Sequence, residues 1–576
     1  MPMRERLKRT KLFQWGAAYL AGAWLVLQLT TLIGEQFGWP NALLRGITVL
    51  LGVGFFVTLI AAWYHGEKGR QRVSGFELVL LAGVLVVAAA AVKLVTAGSD
   101  ADPETQTTSV PAVPSLPRGP AIAVLPFKNL SEDPNNEYFS DGITEELINA
   151  LARVEGLSVV ARTSAAAFKG KETDIREIGN RLGATALLEG SVRKSGRQLR
   201  IQARLVNAAD GYQLWSEVYN RELADVFAIQ QEIADAIVER LEPDFDTAQR
   251  RSSSAPSTAD LEAWDLYIQG RYLWNRRAPD YATEAIRYFS AAIARDSSFA
   301  FAYAGLADAY LALVIWAGAR PSEVMPRAQA AAQRALALDR RNAPAHTSLA
   351  YIKYWYDWNW EQAEAEFQRA ITLDRSYSTA HHWYSLLLIT LGRTEEAARE
   401  IQLAQRLEPM SPIINTIVGT LRFYARDYER AIAQGRHTAD GEPTFAINRF
   451  QLGRAYAMTG RHREAIAEHL RAVELSQRNP IALAALGHAY AVSGERARAA
   501  ALADSLERRA RHEPVSPYWI GTLYAALGDT DRALDWLERA YDERDGWMVN
   551  LGVEPYFDGL REQPRFRALL SRLRLN

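Results

Sequence analysis

The stretches Leu452–Gly460 (LGRAYAMTG), Leu486–Gly494 (LGHAYAVSG) and Ile520–Gly528 (IGTLYAALG) lie 34 residues apart and align position by position. Glycine stands second, tyrosine fifth and glycine ninth in each. Gly419 and Gly392 extend the two glycine series upstream, with Arg426 where a glycine is expected. Ala363, Ala397, Ala431, Ala465, Ala499 and Ala533 keep the same step. A fixed period of this length marks stacked units, each of which buries its apolar side only against its neighbours. The small residues let two antiparallel helices approach closely. The ninth-position glycine ends the first helix of a pair, and the aromatic fills the space between units. Earlier units are looser: Ala328 precedes Ala363 by 35 residues, and Ala285 precedes Ala328 by 43, making room for an inserted loop, IWAGARPSEVMP. The reading is an all-α solenoid of eight repeats over residues 261–545. A segment over 546–576, with Phe566, Leu569, Leu570 and Leu573 on one helical face, caps its open end.

This period and pattern resemble tetratricopeptide repeats (TPRs). Such stacks curve, and the first helix of each pair lines the concave side. Projecting the register places His382, Leu386, Thr416, Phe423, Phe450, Arg454, His488, Tyr518 and Thr522 there. That is a mixed aromatic and polar groove suited to a peptide or protein partner, with packing inside the array as the alternative role of each residue. It lacks the lysine–asparagine set of repeats that clamp C-terminal carboxylates. The cluster Tyr351, Tyr354, Trp355, Tyr356, Trp358 and Trp360 has helical spacing, so half of it must face the core and packing is expected. His381-His382 diverge by about 100° on a helix, and His462 and His469 are two turns apart, so no metal site is expected.

Upstream of a Ser/Ala/Pro-rich linker (residues 247–260) the periodicity changes. AIAVLPF (Ala121–Phe127) and LSVVAR (Leu157–Arg162) have the β-branched, apolar character of buried strands. Asp141 is placed to cap a helix over Ile143–Val154, with Glu145 and Glu146 in its first turn. Further helix is expected over Ser164–Phe168 and Asp174–Leu182. A hairpin is expected about Ser195-Gly196, then a strand in Gly211–Leu223 and a helix over Val226–Leu241. The order β-α-β-α-β-β-β-α describes a two-layer α/β domain over residues 121–246. Asp133, Glu137, Asp141, Glu145 and Glu146 match no calcium loop, and LEGSVRKSG lies in a hairpin rather than before a helix, so it is no phosphate loop.

IAVLPFKNLSEDPNNEYFSDGITEELINALARVEGLSVVARTS, with LLEGSVRKSG and GYQLWSEVYNREL, resembles the TolB-like N-terminal domain of bacterial proteins that also carry TPRs. The resemblance covers residues 120–242 and implies no catalytic residues. AAYLAGAWLVLQ and AWYHGEKGRQRVSGFELVLL resemble the membrane segment preceding that domain. Related architectures carry a winged-helix regulator, a kinase or a nucleotide cyclase at the cytoplasmic end. None fits before Leu12, so a signalling output would come from a partner.

The formal net charge of −1 over 576 residues hides an uneven distribution. Residues 1–97 hold 10 Lys and Arg against 4 Asp and Glu, and residues 121–576 hold 55 against 60. Apolar runs predict three transmembrane helices, at about 12–33, 43–64 and 76–97, each near the 20 residues that cross a bilayer. Arg4, Arg6, Lys8, Arg9 and Lys11 before the first, and Lys68, Arg70 and Arg72 after the second, orient the N-terminus to the cytoplasm. A Pro/Ser/Thr-rich linker over 98–120 then leads to domains placed in the periplasm. The absence of cysteine excludes disulfides, thiolate nucleophiles and zinc–thiolate sites, and the faintly acidic remainder argues against nucleic acid as a partner. The sequence therefore predicts a non-enzymatic, inner-membrane-anchored periplasmic scaffold without cofactor or metal. It has the lipid bilayer and a groove-bound protein as partners. The alternative is a sensory or regulatory component coupled across the membrane to a separate kinase, cyclase or transcription regulator.

Overall fold

A computed structural model of the chain describes residues 120–241 and 258–575, apart from 153, 155, 172, 276–278 and 318, together with residues 19–24, 26, 28 and 51. The chain divides into units over Met1–Ala112 and Val113–Asn576. The spans expected at 12–33, 43–64 and 76–97 lie almost wholly outside the described residues. What is described there is helical at Tyr19–Trp24, Val26, Gln28 and Leu51. Among the described residues no helix is long and apolar enough to cross a membrane. The three-span module is corrected on this ground, and so is the inner-membrane and periplasmic placement that rested on it. The fold described is an α/β domain followed by a helical solenoid.

In the α/β domain, β1 (Ala121–Val124) lies between two parallel partners, β3 (Ser158–Val160) and β4 (Ala186–Ser195), with Ile122 opposite both Val159 and Ala186. β4 continues into an antiparallel meander with β5 (Gln198–Asn207) and β6 (Gln213–Glu222), giving the order β3-β1-β4-β5-β6. The short β2 (Lys128–Asn129), which the sequence did not signal, pairs with the far end of β4. The turn expected at Ser195-Gly196 joins β4 to β5. α1 (Glu137–Ala152) and α4 (Val226–Leu241) cover one face, packing Phe139, Ile143 and Leu147, and Ile229, Ile233 and Ile237, over Val124, Leu188 and Leu205. α2 (Arg162–Ala166) and α3 (Ile175–Leu182) lie on the other side, where Phe168, Ile178 and Leu182 meet Ala123 and Leu187.

α1 begins six residues earlier than Ile143, so Asp141 is not its cap. Asp133 does that work for the one-turn helix Pro134–Asn136 that leads into α1, accepting a hydrogen bond from the Asn135 amide at 2.9 Å. Asp141 is buried a turn inside α1, paired with Lys169 at 2.6 Å and Arg162 at 3.3 Å.

Helices then follow in pairs: α5 (Leu261–Asn275) with α6 (Pro279–Arg295), α7 (Ala300–Ala317) with α8 (Pro321–Leu338), α9 (Ala343–Ile352) with α10 (Trp360–Leu373), and α11 (Ser378–Thr390) with α12 (Thr394–Leu407). The same plan continues through α13 (Pro412–Tyr424) with α14 (Tyr428–Gly441), α15 (Ala446–Met458) with α16 (His462–Leu475), α17 (Pro480–Val492) with α18 (Arg496–Arg509), and α19 (Pro517–Leu527) with α20 (Thr530–Asp542). The six periodic alanines are all buried. Gly392, Gly460, Gly494 and Gly528 follow the first helix of their pairs with φ between +72° and +90°. Only glycine reaches this region without steric cost.

The array does not hang from the α/β domain by the linker alone. Trp264 of α5 meets Phe139 and Phe227 edge-on at 5.6 and 5.5 Å, and Tyr267 and Ile268 share the same core. α1 approaches α5 so closely that a Cβ on Gly142 would lie 2.7 Å from Ile268 Cδ1 and 2.9 Å from its Cβ. Gly142→Ala should therefore destabilise the protein by about 1–3 kcal/mol through overpacking. Urea denaturation of the full-length protein checks this, and an unchanged midpoint would show that the two helices separate freely.

Candidate peptide-binding groove and the segment that fills it

The residues projected onto the concave side all fall on the first helices of pairs: His382 and Leu386 on α11, Thr416 and Phe423 on α13, Phe450 and Arg454 on α15, His488 on α17, and Tyr518 and Thr522 on α19. Leu386 is half-buried and the other eight are buried. Over the C-terminal pairs, what covers them is the chain itself. After α20 the described chain does not pass directly into another helix pair. Asp545 turns the chain, its carboxylate accepting from Ser516 Oγ (2.6 Å), the Trp547 amide (3.1 Å) and the Tyr518 amide (3.2 Å). Two short 3-10 helices, Gly546–Asn550 and Pro555–Leu560, follow before α21 (Pro564–Leu573), and Glu554, Tyr556 and Phe557 between them reach α13, α15, α17 and α19.

At the centre of this contact Arg454 and Glu554 form an ion pair at 2.6 Å, both side chains wholly excluded from solvent. Arg454 also donates to Gln451 Oε1 at 2.9 Å, and its guanidinium lies 4.2 Å from the centre of the Phe423 ring. Tyr424, Phe450, Trp519 and Tyr556 complete a cage within 6 Å. Burial penalises this cation, but Glu554 and the nearby phenols outweigh it and hold the Arg454 pKa above the usual arginine range. Glu554 accepts a second hydrogen bond from the Tyr518 hydroxyl (3.3 Å), and its other oxygen accepts from the Tyr556 amide (3.4 Å). Tyr556 stacks on His488, ring centres 3.6 Å apart, and Phe557 meets Tyr518 edge-on at 5.4 Å.

Two histidines border the pair. Burial first, and the Arg454 charge after it, push His469 down to about 3; burial, then His469 and Arg454, push His488 to about 3 as well. Both are neutral at pH 7.

The aromatic cluster has a second role besides packing. Tyr351, Tyr354 and Trp358 are buried. Trp355 meets Trp547 edge-on at 5.5 Å, Trp360 Nε1 donates to the Leu573 carbonyl at 2.9 Å, and Arg544 donates to the Tyr356 carbonyl at 3.4 Å. These rings receive the C-terminal segment. Arg426 contributes too: it sits at φ +65° where a glycine is expected, and its guanidinium donates to Asp558 at 2.9 Å. Arg426→Gly relieves about 1 kcal/mol of backbone strain and loses a surface ion pair worth about 0–1 kcal/mol. The melting temperature should be unchanged or slightly raised; a large drop would show that the Asp558 contact is essential.

A second polar cluster lies where the α/β domain meets the array. Arg271 Nε donates to Glu145 at 2.7 Å, and Arg271 Nη1 is 3.6 Å from Asp308, which accepts from the Ser348 hydroxyl. Burial raises Asp308 to about 6, partly offset by Arg271. Glu408, at the end of α12, accepts from Thr163 and Ser378, while the Ala161 amide donates to the Leu407 carbonyl at 2.9 Å. Arg271, Asp308 and Glu408 carry no signal in the sequence, since charged residues on helices are ordinarily solvated. Among the described residues no group of three or more His, Asp or Glu is placed to hold a metal ion.

Comparison with known proteins bears on both regions. Residues 118–236 match the family model described as HilA/YgeH-like transcriptional regulator, second domain, where the sequence resembles a TolB-like domain. Residues 353–412 and 484–546 match a tetratricopeptide-repeat model. Putative adenylate cyclase 3 of Rhizobium meliloti (strain 1021) is 38% identical over 244 residues, which is 42% of this chain. The chain spans 41% of the length of that curated relative. Among solved structures, PilF of Pseudomonas aeruginosa is similar at 18% identity over 38% of this chain and 95% of its own, with a TM-score of 0.30. Yeast Tom70 is similar at 13% identity over 61% of this chain and 82% of its own, with a TM-score of 0.36. Taken with the 34-residue period and the helix pairs, the second family match establishes that this chain carries tetratricopeptide repeats.

Proposed function

We propose that the chain is a non-catalytic, regulatory interaction scaffold, in which eight TPRs over residues 261–545 take a protein partner and an α/β domain over 121–246 supplies a second binding surface. The partner's peptide segment lies along the first helices of the pairs, from His382 and Leu386 through Thr416, Phe423, Phe450 and Arg454 to His488, Tyr518 and Thr522. The observation that carries this reading is the seat of Glu554, where an arginine in an aromatic cage, a tyrosine hydroxyl and a stacked histidine hold a short segment of turns and 3-10 helix. That is the chemistry by which a groove reads a short peptide. The regulatory element is favoured by the description of the model matched over residues 118–236 and by the name of the cyclase relative. Its output would pass through a separate enzyme or transcription regulator. The acidic stretch of α1 does not argue for catalysis, since Asp141 and Glu145 are held in ion pairs with Arg162, Lys169 and Arg271.

Two measurements test it. Full-length protein given ATP with Mg2+ or Mn2+ should form no cyclic nucleotide, and turnover would overturn the non-catalytic reading. Affinity capture on the full-length protein should return a defined partner. Its recovery should fall at least tenfold with Arg454→Met and Glu554→Leu made together, and equal recovery would remove the inner face as the binding surface.

A further inference from the structure

Residues 545–560 meet the array in the way a bound peptide would, and three observations separate this contact from ordinary core packing. The recognition elements come in one short run: the Glu554 carboxylate on Arg454, Pro555 opening a turn, Tyr556 on His488, and Phe557 against Tyr518. Among the described residues Arg454 has no carboxylate partner other than Glu554, so without the segment it would be a buried cation in an aromatic cage. The inner face also offers more polar atoms than the segment uses. Arg454 Nε, His488 Nδ1 and Trp519 Nε1 are buried without a hydrogen-bond partner among the described residues, as is the Tyr556 hydroxyl of the segment itself. A half-satisfied buried polar network is less stable than a fully satisfied one, so a ligand that supplies the missing partners gains over one that does not.

The geometry points to residues 545–560 as an in-chain occupant of a recognition groove, whose ligand in trans is a peptide carrying a carboxylate followed by proline and two aromatic residues. This rests on the scaffold reading above and adds to it the class of peptide and its control. Release of the strap and binding of the partner are then one equilibrium, and the apparent affinity for a partner is lowered by the fraction of molecules with the strap closed. A partner peptide that also satisfies the idle His488 and Trp519 nitrogens has a binding advantage that the strap lacks.

The probe is a fluorescein-labelled peptide of residues 549–561, VNLGVEPYFDGLR. Full-length protein carrying Tyr556→Ala and Phe557→Ala, which loosen the strap, should bind it at least tenfold more tightly than the unaltered protein, by fluorescence anisotropy. Glutamine in place of the peptide's glutamate should weaken binding at least tenfold, and adding Arg454→Met to the loosened protein should abolish it. A loosened protein that still melts cooperatively yet binds no peptide overturns the proposal, because the segment is then fixed core. So does one that dimerises instead, because the groove then takes a second copy. Hydrogen exchange of the unaltered protein covers the case in which the loosened variant fails to fold. Amides of residues 546–560 should open at least tenfold more often than those of α15 and α17, and exchange only through global unfolding overturns the strap. Lost peptide binding with partner capture intact defeats this inference alone; loss of both defeats the scaffold reading as well.

Discussion

Arg454→Met in the full-length protein is expected to lower its unfolding free energy by about 3–5 kcal/mol, the usual cost of leaving one partner of a buried ion pair behind. Glu554→Leu should cost a similar amount, because it leaves a cation with no carboxylate among five rings. The two together should cost much less than the sum. Neither buried charge then remains, and methionine and leucine fill much of the space with apolar contact. Part of the deficit will persist in the double variant. The cage contributes about 0.5–2 kcal/mol of cation–π attraction, and the Tyr518 hydroxyl and Tyr556 amide lose their acceptor. Urea denaturation of the four proteins gives the coupling directly. Additive single changes would mean that the pair is not formed in solution, and the strap would then have lost its anchor.

The repeats were legible in the sequence because each unit must solve the same local problem. A helix pair needs a small residue at its contact and a residue tolerant of positive φ at its turn, and both recur every 34 residues at Ala363–Ala533 and at Gly392, Gly460, Gly494 and Gly528. The nine residues projected onto the concave side all fall on first helices of pairs. What the register could not show is that residues 546–560 lie on them. VEPYFDGL has no period, and its defining contact joins Glu554 to Arg454 across 100 residues. The one local hint was Arg426, a residue in a glycine's place that holds Asp558. The misplaced cap at Asp141 has a different cause. An acid before an apolar run is a fair helix-start signal, but Asp133-Pro134 supplies a stronger one upstream, and the ion pairs that hold Asp141 inside the helix come from distant Arg162 and Lys169. Hydropathy governed the expected membrane spans, and almost all of those residues lie outside the described ones, among which no helix is long and apolar enough to cross a membrane.

Acid should weaken the protein through His469 and His488, and removing both should flatten that response. Their pKa values lie near 3 in the folded protein, against about 6.5 for an unfolded chain. Above pH 6.5 both are neutral in either state and their contribution is fully present. As pH falls below 6.5, the unfolded chain takes up protons that the folded state refuses. Stability then drops by about 1.4 kcal/mol per pH unit for each histidine until the folded values are reached. Between pH 6.5 and 5 that is about 2 kcal/mol each. Asp308 acts with the opposite sign: its pKa is raised to about 6, so the folded state binds its proton first and gains stability as pH falls toward the unfolded value. Asp545 is raised as well and acts the same way. The comparison must therefore be between proteins rather than along one curve. The difference in stability between the unaltered protein and the His469→Leu, His488→Phe variant, followed from pH 7 to pH 5, cancels both aspartates and should move by about 4 kcal/mol in the variant's favour. Parallel curves would mean that the histidines protonate within the fold, which requires water or an anion to reach them. The hydrogen-bonding capacity left idle beneath Tyr556 would then be in use, and the contrast between a half-satisfied face and its strap would disappear.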